Sequence, residues 1–186
     1  MPDLGGSVPL NHHSEYSGLT EAQYAAIGRA VVEWANVEFL LGVLLSRLLA
    51  TPEFLARTYT DSISAVRLQE AIAEAAEIHS VRYGNRLVSH EALKEISEVN
   101  NRVTHLRAVR NKFAHFCWMR SNDEEIFGTS FSGGIWSPKR ERRDNIVLKV
   151  EELAMLNAEA HLLVEQLMKL VEKLPEVTEE SLLTKR

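Results

Sequence analysis

From Tyr24 onward the chain repeats apolar side chains at spacings of three and four: Tyr24, Ile27, Val31, Trp34, Leu41, Leu45 and Leu48, with Glu38 occupying one turn of the same register. That period is one face of a helix, and its unbroken length predicts a bundle seam. Thr20, followed by Glu21, is the expected N-cap, and Pro52 falls just past the end. A second helix is predicted from about Asp61 through Val66, Leu68, Ile72 and Ala75 to His79, with Glu53 to Thr58 as a turn or two leading into it. Gly84-Asn85 breaks the chain. Ser89 caps a third helix whose apolar side is Leu93, Ile96, Val99, Val103, Leu106, Val109 and Phe113. The fourth runs from about Glu151 to Lys173, with Leu153, Leu156, Ala160, Leu163, Leu167, Leu170 and Leu174 in register, and Pro175 ends it.

Residues 116–150 break this rhythm. Phe116 to Met119, Glu125 to Phe131 and Ile146 to Val150 are short, aromatic or β-branched, and separated by Ser-Asn-Asp, Gly-Gly and Pro. Two or three short strands are predicted there. The fold class is therefore all-α: an up-down helical bundle of about four main helices, with a small β-hairpin or short-strand insert before the last. Residues 1–18 read as a flexible lead, 19–175 as a single helical domain and 176–186 as a tail that frays. There is no internal repeat and no low-complexity tract.

Composition narrows the class. At 186 residues and 45% apolar content, the chain has enough for a proper core in one domain. The longest strongly apolar run without a charge, Phe39 to Ser46, is far too short for a bilayer span, and the N-terminus lacks the pattern of a signal peptide. Cys117 is the only cysteine, so no intrachain disulfide forms and a reducing, cytoplasmic setting is expected.

Charge then singles out one stretch. The whole chain carries −5, yet residues 101–120 hold Arg102, Arg107, Arg110, Lys112 and Arg120 with no acid among them. A second knot, Lys139-Arg140 and Arg142-Arg143, follows, diluted by Glu141. Solvated surface charge explains most such runs. Local positive potential in an acidic chain is nevertheless what a phosphate site needs.

Within that stretch, Arg110-Asn111-Lys112-Phe113-Ala114-His115 puts a guanidinium and an imidazole on one helix. Arginine grips phosphate oxygens as a fork, and histidine moves a proton near neutral pH. Those groups suffice to cut a phosphodiester without a metal. The hexapeptide resembles the Arg-polar-x-x-x-His signature of the HEPN superfamily, the higher eukaryotes and prokaryotes nucleotide-binding domain. Arg110 matches its arginine, Asn111 its polar follower and His115 its histidine; Lys112, Phe113 and Ala114 take the variable slots. The resemblance covers the third helix strongly, helices one and four by pattern only, and the insert not at all.

What the resemblance implies is a metal-independent RNA endonuclease that leaves a 2′,3′-cyclic phosphate and a 5′-hydroxyl. His115 and Arg110 would be catalytic, and Asn111 would hold the imidazole or a phosphate oxygen. Such proteins often serve as toxins or in phage defence, beside a nucleotidyltransferase-like antitoxin. From charge alone, Arg102, Arg107, Lys112 and Arg120 are the expected RNA contacts. The alternative is a non-catalytic HEPN-like dimeric bundle that binds a nucleotide, an RNA or a protein partner.

Helix geometry adds an expectation of its own. Arg110 and His115 lie roughly 140° apart around the axis and about 7.5 Å along it, so one helix does not easily aim both at one phosphate. Thr104, Ala108, Asn111 and His115 form a small or polar stripe that admits a second backbone. If that backbone belongs to another copy, a two-fold axis brings both pairs to one cleft, and the site is composite in a homodimer. Glu38, alone among apolar neighbours, calls for a partner because burying a lone carboxylate is costly. An orienting contact to Arg110 or His115 is the expectation for it. No Glu-x-x-His pair, phosphate loop or metal-ligand spacing is present, so neither a cofactor nor a metal is expected.

Overall fold

The structure, a computed structural model, describes residues 17–130 and 145–183. Within them the chain forms α1 (Glu21–Leu48), α2 (Glu53–Thr60), α3 (Ala65–Val81), α4 (His90–His115), β1 (Phe116–Arg120), β2 (Glu125–Ser130), β3 (Asn145–Lys149), α5 (Val150–Lys173) and α6 (Glu179–Leu183). Helix dominates, and a small antiparallel sheet precedes the last long helix, as the sequence pattern predicts. Among the described residues no helix is long and apolar enough to cross a membrane. The expected lead falls outside the described residues apart from 17–18, as does the Lys139-Arg140 and Arg142-Arg143 knot. The expected tail carries the short helix α6 after Pro175.

Caps explain where the helices begin. Thr20 Oγ1 accepts from the Gln23 backbone N–H at 3.2 Å, and Gln23 Oε1 accepts from the Thr20 N–H at 2.9 Å, a reciprocal box at the start of α1. Ser89 Oγ accepts from the Ala92 N–H at 3.2 Å and so opens α4. The Ser89 hydroxyl and backbone donation also hold the Glu91 carboxyl below its ordinary value, backbone donation being the larger cause. Gly84 and Asn85 both take left-handed backbone, at φ 56° and 60°, which is why the chain breaks there.

Two expectations about the second helix need correction. Residues 53–60 form a helix of their own, so Asp61 closes α2 instead of opening α3, and Ser64 is the N-cap. Val66 is exposed, because the buried stripe of α3 runs through Ala65, Leu68, Ile72, Ala75 and His79. The third correction is on α1. Val37, fully buried, fills the seam position between Trp34 and Leu41, and Glu38 sits beside it half-buried.

The described chain gathers into two compact units. The first draws on residues within 1–31 and 108–158, the second on 32–107 and 159–186. In the first, Leu19, Phe113, Ile126 and Leu153 form the buried cluster, with Tyr24, Ile27, Val109, Trp118, Leu148 and Leu156 packed against it. Its sheet has the order β1-β2-β3, with Trp118 opposite Gly128 and Ile126 opposite Leu148. Gln23, fully buried, ties the β1–β2 turn down: its Nε2 donates to the carbonyls of Asn122 at 2.8 Å and of Asp123 and Glu125 at 3.3 Å. In the second unit the cluster is larger. It includes Leu41, Leu44 and Leu45 from α1, Leu68 and Ile72 from α3, Ile96, Val99 and Val103 from α4, and Leu163, Leu167 and Leu170 from α5.

Candidate active site

The hexapeptide occupies the last turns of α4, and the first unit fixes it through one of its variable slots. Phe113 is buried at 8% exposure and stacks on Trp118, with ring centroids 5.1 Å apart and planes 18° from parallel. Trp118 Nε1 donates to the Phe113 carbonyl at 3.3 Å, so the first strand folds back onto the helix it has just left. Gly128 makes room for this. A Cβ at that position would lie 2.7 Å from Trp118 Cζ3.

With Phe113 pointing into the core, its neighbours are placed by the helical repeat. Val109, one turn earlier, is half-buried, Arg110 is half-buried at the edge, and Asn111 is exposed. Arg110 Nη1 donates to Asn111 Oδ1 at 3.4 Å, a long bond that brings guanidinium and amide together. Ala108 and Ala114 are exposed as well. Lys112 and His115 belong to the same helix, His115 as its final residue, and their side chains lie outside the described ones.

Three other cations of the basic stretch have described partners of their own. Arg120 belongs to the first unit and pairs with the Asp123 carboxylate. Arg102 and Arg107 belong to the second unit and turn to different neighbours. Arg102 Nη1 donates to Gln166 Oε1 on α5, on the wall of a 230 Å³ groove that Glu95, Glu98, Lys169 and Lys173 also line. Arg107 Nη1 donates to Gln69 Oε1 on α3. The stretch is acid-free in sequence, but folding supplies Arg120 with an acid and sets Arg102 in a groove that holds both acids and lysines.

Glu38 lies on α1, in the second unit. Its half-exposed carboxyl lines a small groove with Phe39, Gly42, Glu53, Arg57, Thr60 and Asp61, where Arg57 lies 4.4 Å over the Phe39 ring. Val37 takes the fully buried seam position, and Glu38 is only partly withdrawn from solvent. His79 is a structural histidine: it is buried, with Nε2 2.8 Å from the Leu48 carbonyl. Among the described residues no group of three His, Cys, Asp or Glu side chains stands close enough to hold a metal ion.

Gln69 is the residue that the sequence reading passed over. It is buried at 6% exposure on the face of α3 that also carries Leu68 and Ile72, and it joins Asn100, Thr104 and Arg107 of α4. The available signal was an amide at a position whose neighbours, three and four away, are apolar. No protein family, curated protein or solved structure matches this chain.

Proposed function

We propose that this chain is a metal-independent RNA endonuclease of the HEPN type, acting as a homodimer with a composite site. The observation that carries the reading is how the hexapeptide is used. Packing takes Phe113, a variable slot, while half-buried Arg110 and exposed Asn111, two of the three signature residues, stay within reach of each other outside that core.

In the proposed reaction the His115 imidazole takes the proton of a ribose 2′-hydroxyl. The 2′-oxygen attacks the adjacent phosphorus, the bond to the 5′-oxygen breaks, and that oxygen leaves with a proton from an imidazolium. Arg110 stabilises the charge that builds on the non-bridging oxygens. Asn111 holds the imidazole or a phosphate oxygen. The products are a 2′,3′-cyclic phosphate and a 5′-hydroxyl. Growth arrest on expression, relieved by a nucleotidyltransferase-like partner, is the physiological form that this activity takes in a toxin.

Purified protein with His115→Ala or Arg110→Ala tests it. Each is expected to lower cleavage of a mixed-sequence RNA by about 10²- to 10⁴-fold. Circular dichroism stays unchanged, since neither residue lies on the apolar seam of the helix, Leu93 to Phe113. EDTA leaves the rate unchanged, and a substrate without 2′-hydroxyls resists. Activity that survives His115→Ala, or that EDTA removes, leaves a non-catalytic binding bundle as the better account.

A further inference from the structure

The Gln69 amide has all its hydrogen-bonding atoms engaged, and it ends on a cation. Nε2 donates to the Asn100 carbonyl at 2.8 Å and to Thr104 Oγ1 at 2.9 Å, and Oε1 accepts from Arg107 Nη1. Asn100 Nδ2 returns a bond to the main-chain carbonyl of Gln69 at 3.0 Å. The donors anchor the amide to α4, which fixes where the carbonyl end points. A leucine would fill this buried site without any polar group to desolvate. What the amide adds is a fixed acceptor for one nitrogen of a half-exposed guanidinium.

The chemistry of that acceptor matters. Arg120 donates to a carboxylate, which cancels its charge, and Arg102, also held by a glutamine amide, lies in a groove shared with Glu95, Glu98, Lys169 and Lys173. Arg107 is held by a neutral amide, so its charge is oriented without being cancelled. A guanidinium tethered at Nη1 still offers Nε and Nη2 as an edge for two phosphate oxygens.

We infer that Gln69 is a positioning residue for Arg107, and that Arg107 so held grips the phosphate backbone of single-stranded RNA. The choice of RNA rests on the nuclease reading; the positioning does not require cleavage. The test is therefore binding of a 2′-O-methyl oligouridylate, which lacks the nucleophile, with cutting of the unmodified strand scored separately. Failure to cut counts against the nuclease, and failure to bind as described counts against this inference.

Arg107→Ala is expected to raise Kd about tenfold and to lower the log–log salt slope by about 0.7. Gln69→Glu places a carboxylate on the guanidinium and lowers the slope by the same amount, about 0.7. Gln69→Leu also weakens binding, but has no further effect once Arg107→Ala is present. If Gln69→Leu does not fold, Gln69→Glu against Arg107→Ala carries the same comparison. Unchanged Kd and slope in Arg107→Ala, or an equal loss from Gln69→Leu or Gln69→Glu in both backgrounds, makes Gln69 a helix lock only and overturns the inference.

Discussion

Phe113 and Gly128 mark how far single residues decide the geometry of the candidate site. Phe113 is the hexapeptide's anchor, and Trp118 is its lid, drawn down by a bond from Nε1 to the Phe113 carbonyl. The lid closes only because residue 128, directly across the ladder, has no side chain. Gly128→Ala would set a methyl 2.7 Å from Trp118 Cζ3, where a ring backed by Phe113 cannot give way cheaply. Overpacking of this kind costs about 1–3 kcal/mol. The expected outcome is a lower urea midpoint and a shift in tryptophan emission as Trp118 is pushed outward. Unchanged emission and midpoint would mean that the strand moves freely against the helix. Cleavage should fall along with stability, since the same stack sets the rotation of α4 that brings Arg110 to the surface.

At the scale of elements, the ends of helices follow rules that sequence states well in some places and poorly in others. The α1 terminus is an example of the second kind. The Thr51 N–H donates to the Ser46 carbonyl at 3.0 Å and the Ala50 N–H to the Arg47 carbonyl at 3.1 Å, the paired bonds of a Schellman motif. Its left-handed position, φ 48°, is held by Ala50 where glycine is usual. Ala50→Gly is therefore expected to stabilise the protein by about 1 kcal/mol, read as a higher urea midpoint with unchanged slope. A loss of stability would mean that the added freedom of the unfolded chain outweighs the relieved strain. The long helices and three strands were legible because their signals are local: periods of three and four, Ser89 and Thr20 as caps, Gly84-Asn85 as a break. The Ser64 cap was missed because Asp61 is an equally good capping type, and only the helix 53–60 before it decides between them. Glu38 was misplaced by extending one register too rigidly, when the seam steps from Trp34 to Val37. The candidate site was legible as a motif but not as a set of contacts. Gln69 reaches Asn100 across 31 residues and Gln23 reaches Asn122 across 99, separations that no local pattern encodes.

For the whole molecule, the divergence of Arg110 and His115 on one helix turns the proposed chemistry into a statement about assembly. With roughly 140° between them, the arginine and histidine that act on one phosphate are most simply supplied by different copies. Ala108 and Asn111, both exposed, leave α4 a flank on which a second α4 can lie. Light scattering at micromolar concentration is expected to report a dimer, and Ala108→Glu to weaken it by placing a carboxylate, and its twin across the axis, in the contact. The decisive version mixes two dead chains. Arg110→Ala and His115→Ala homodimers each lack one group at both sites, so each is inactive alone. In a heterodimer, one of the two clefts regains an intact arginine from one chain and an intact histidine from the other. Random exchange makes about half the dimers mixed, so recovery of up to about a quarter of wild-type activity is expected if each cleft works independently. No recovery, in a mixture that native mass spectrometry shows to be exchanged, would place both groups of each site on a single chain. The composite site would then be abandoned even if each mutation abolished cleavage.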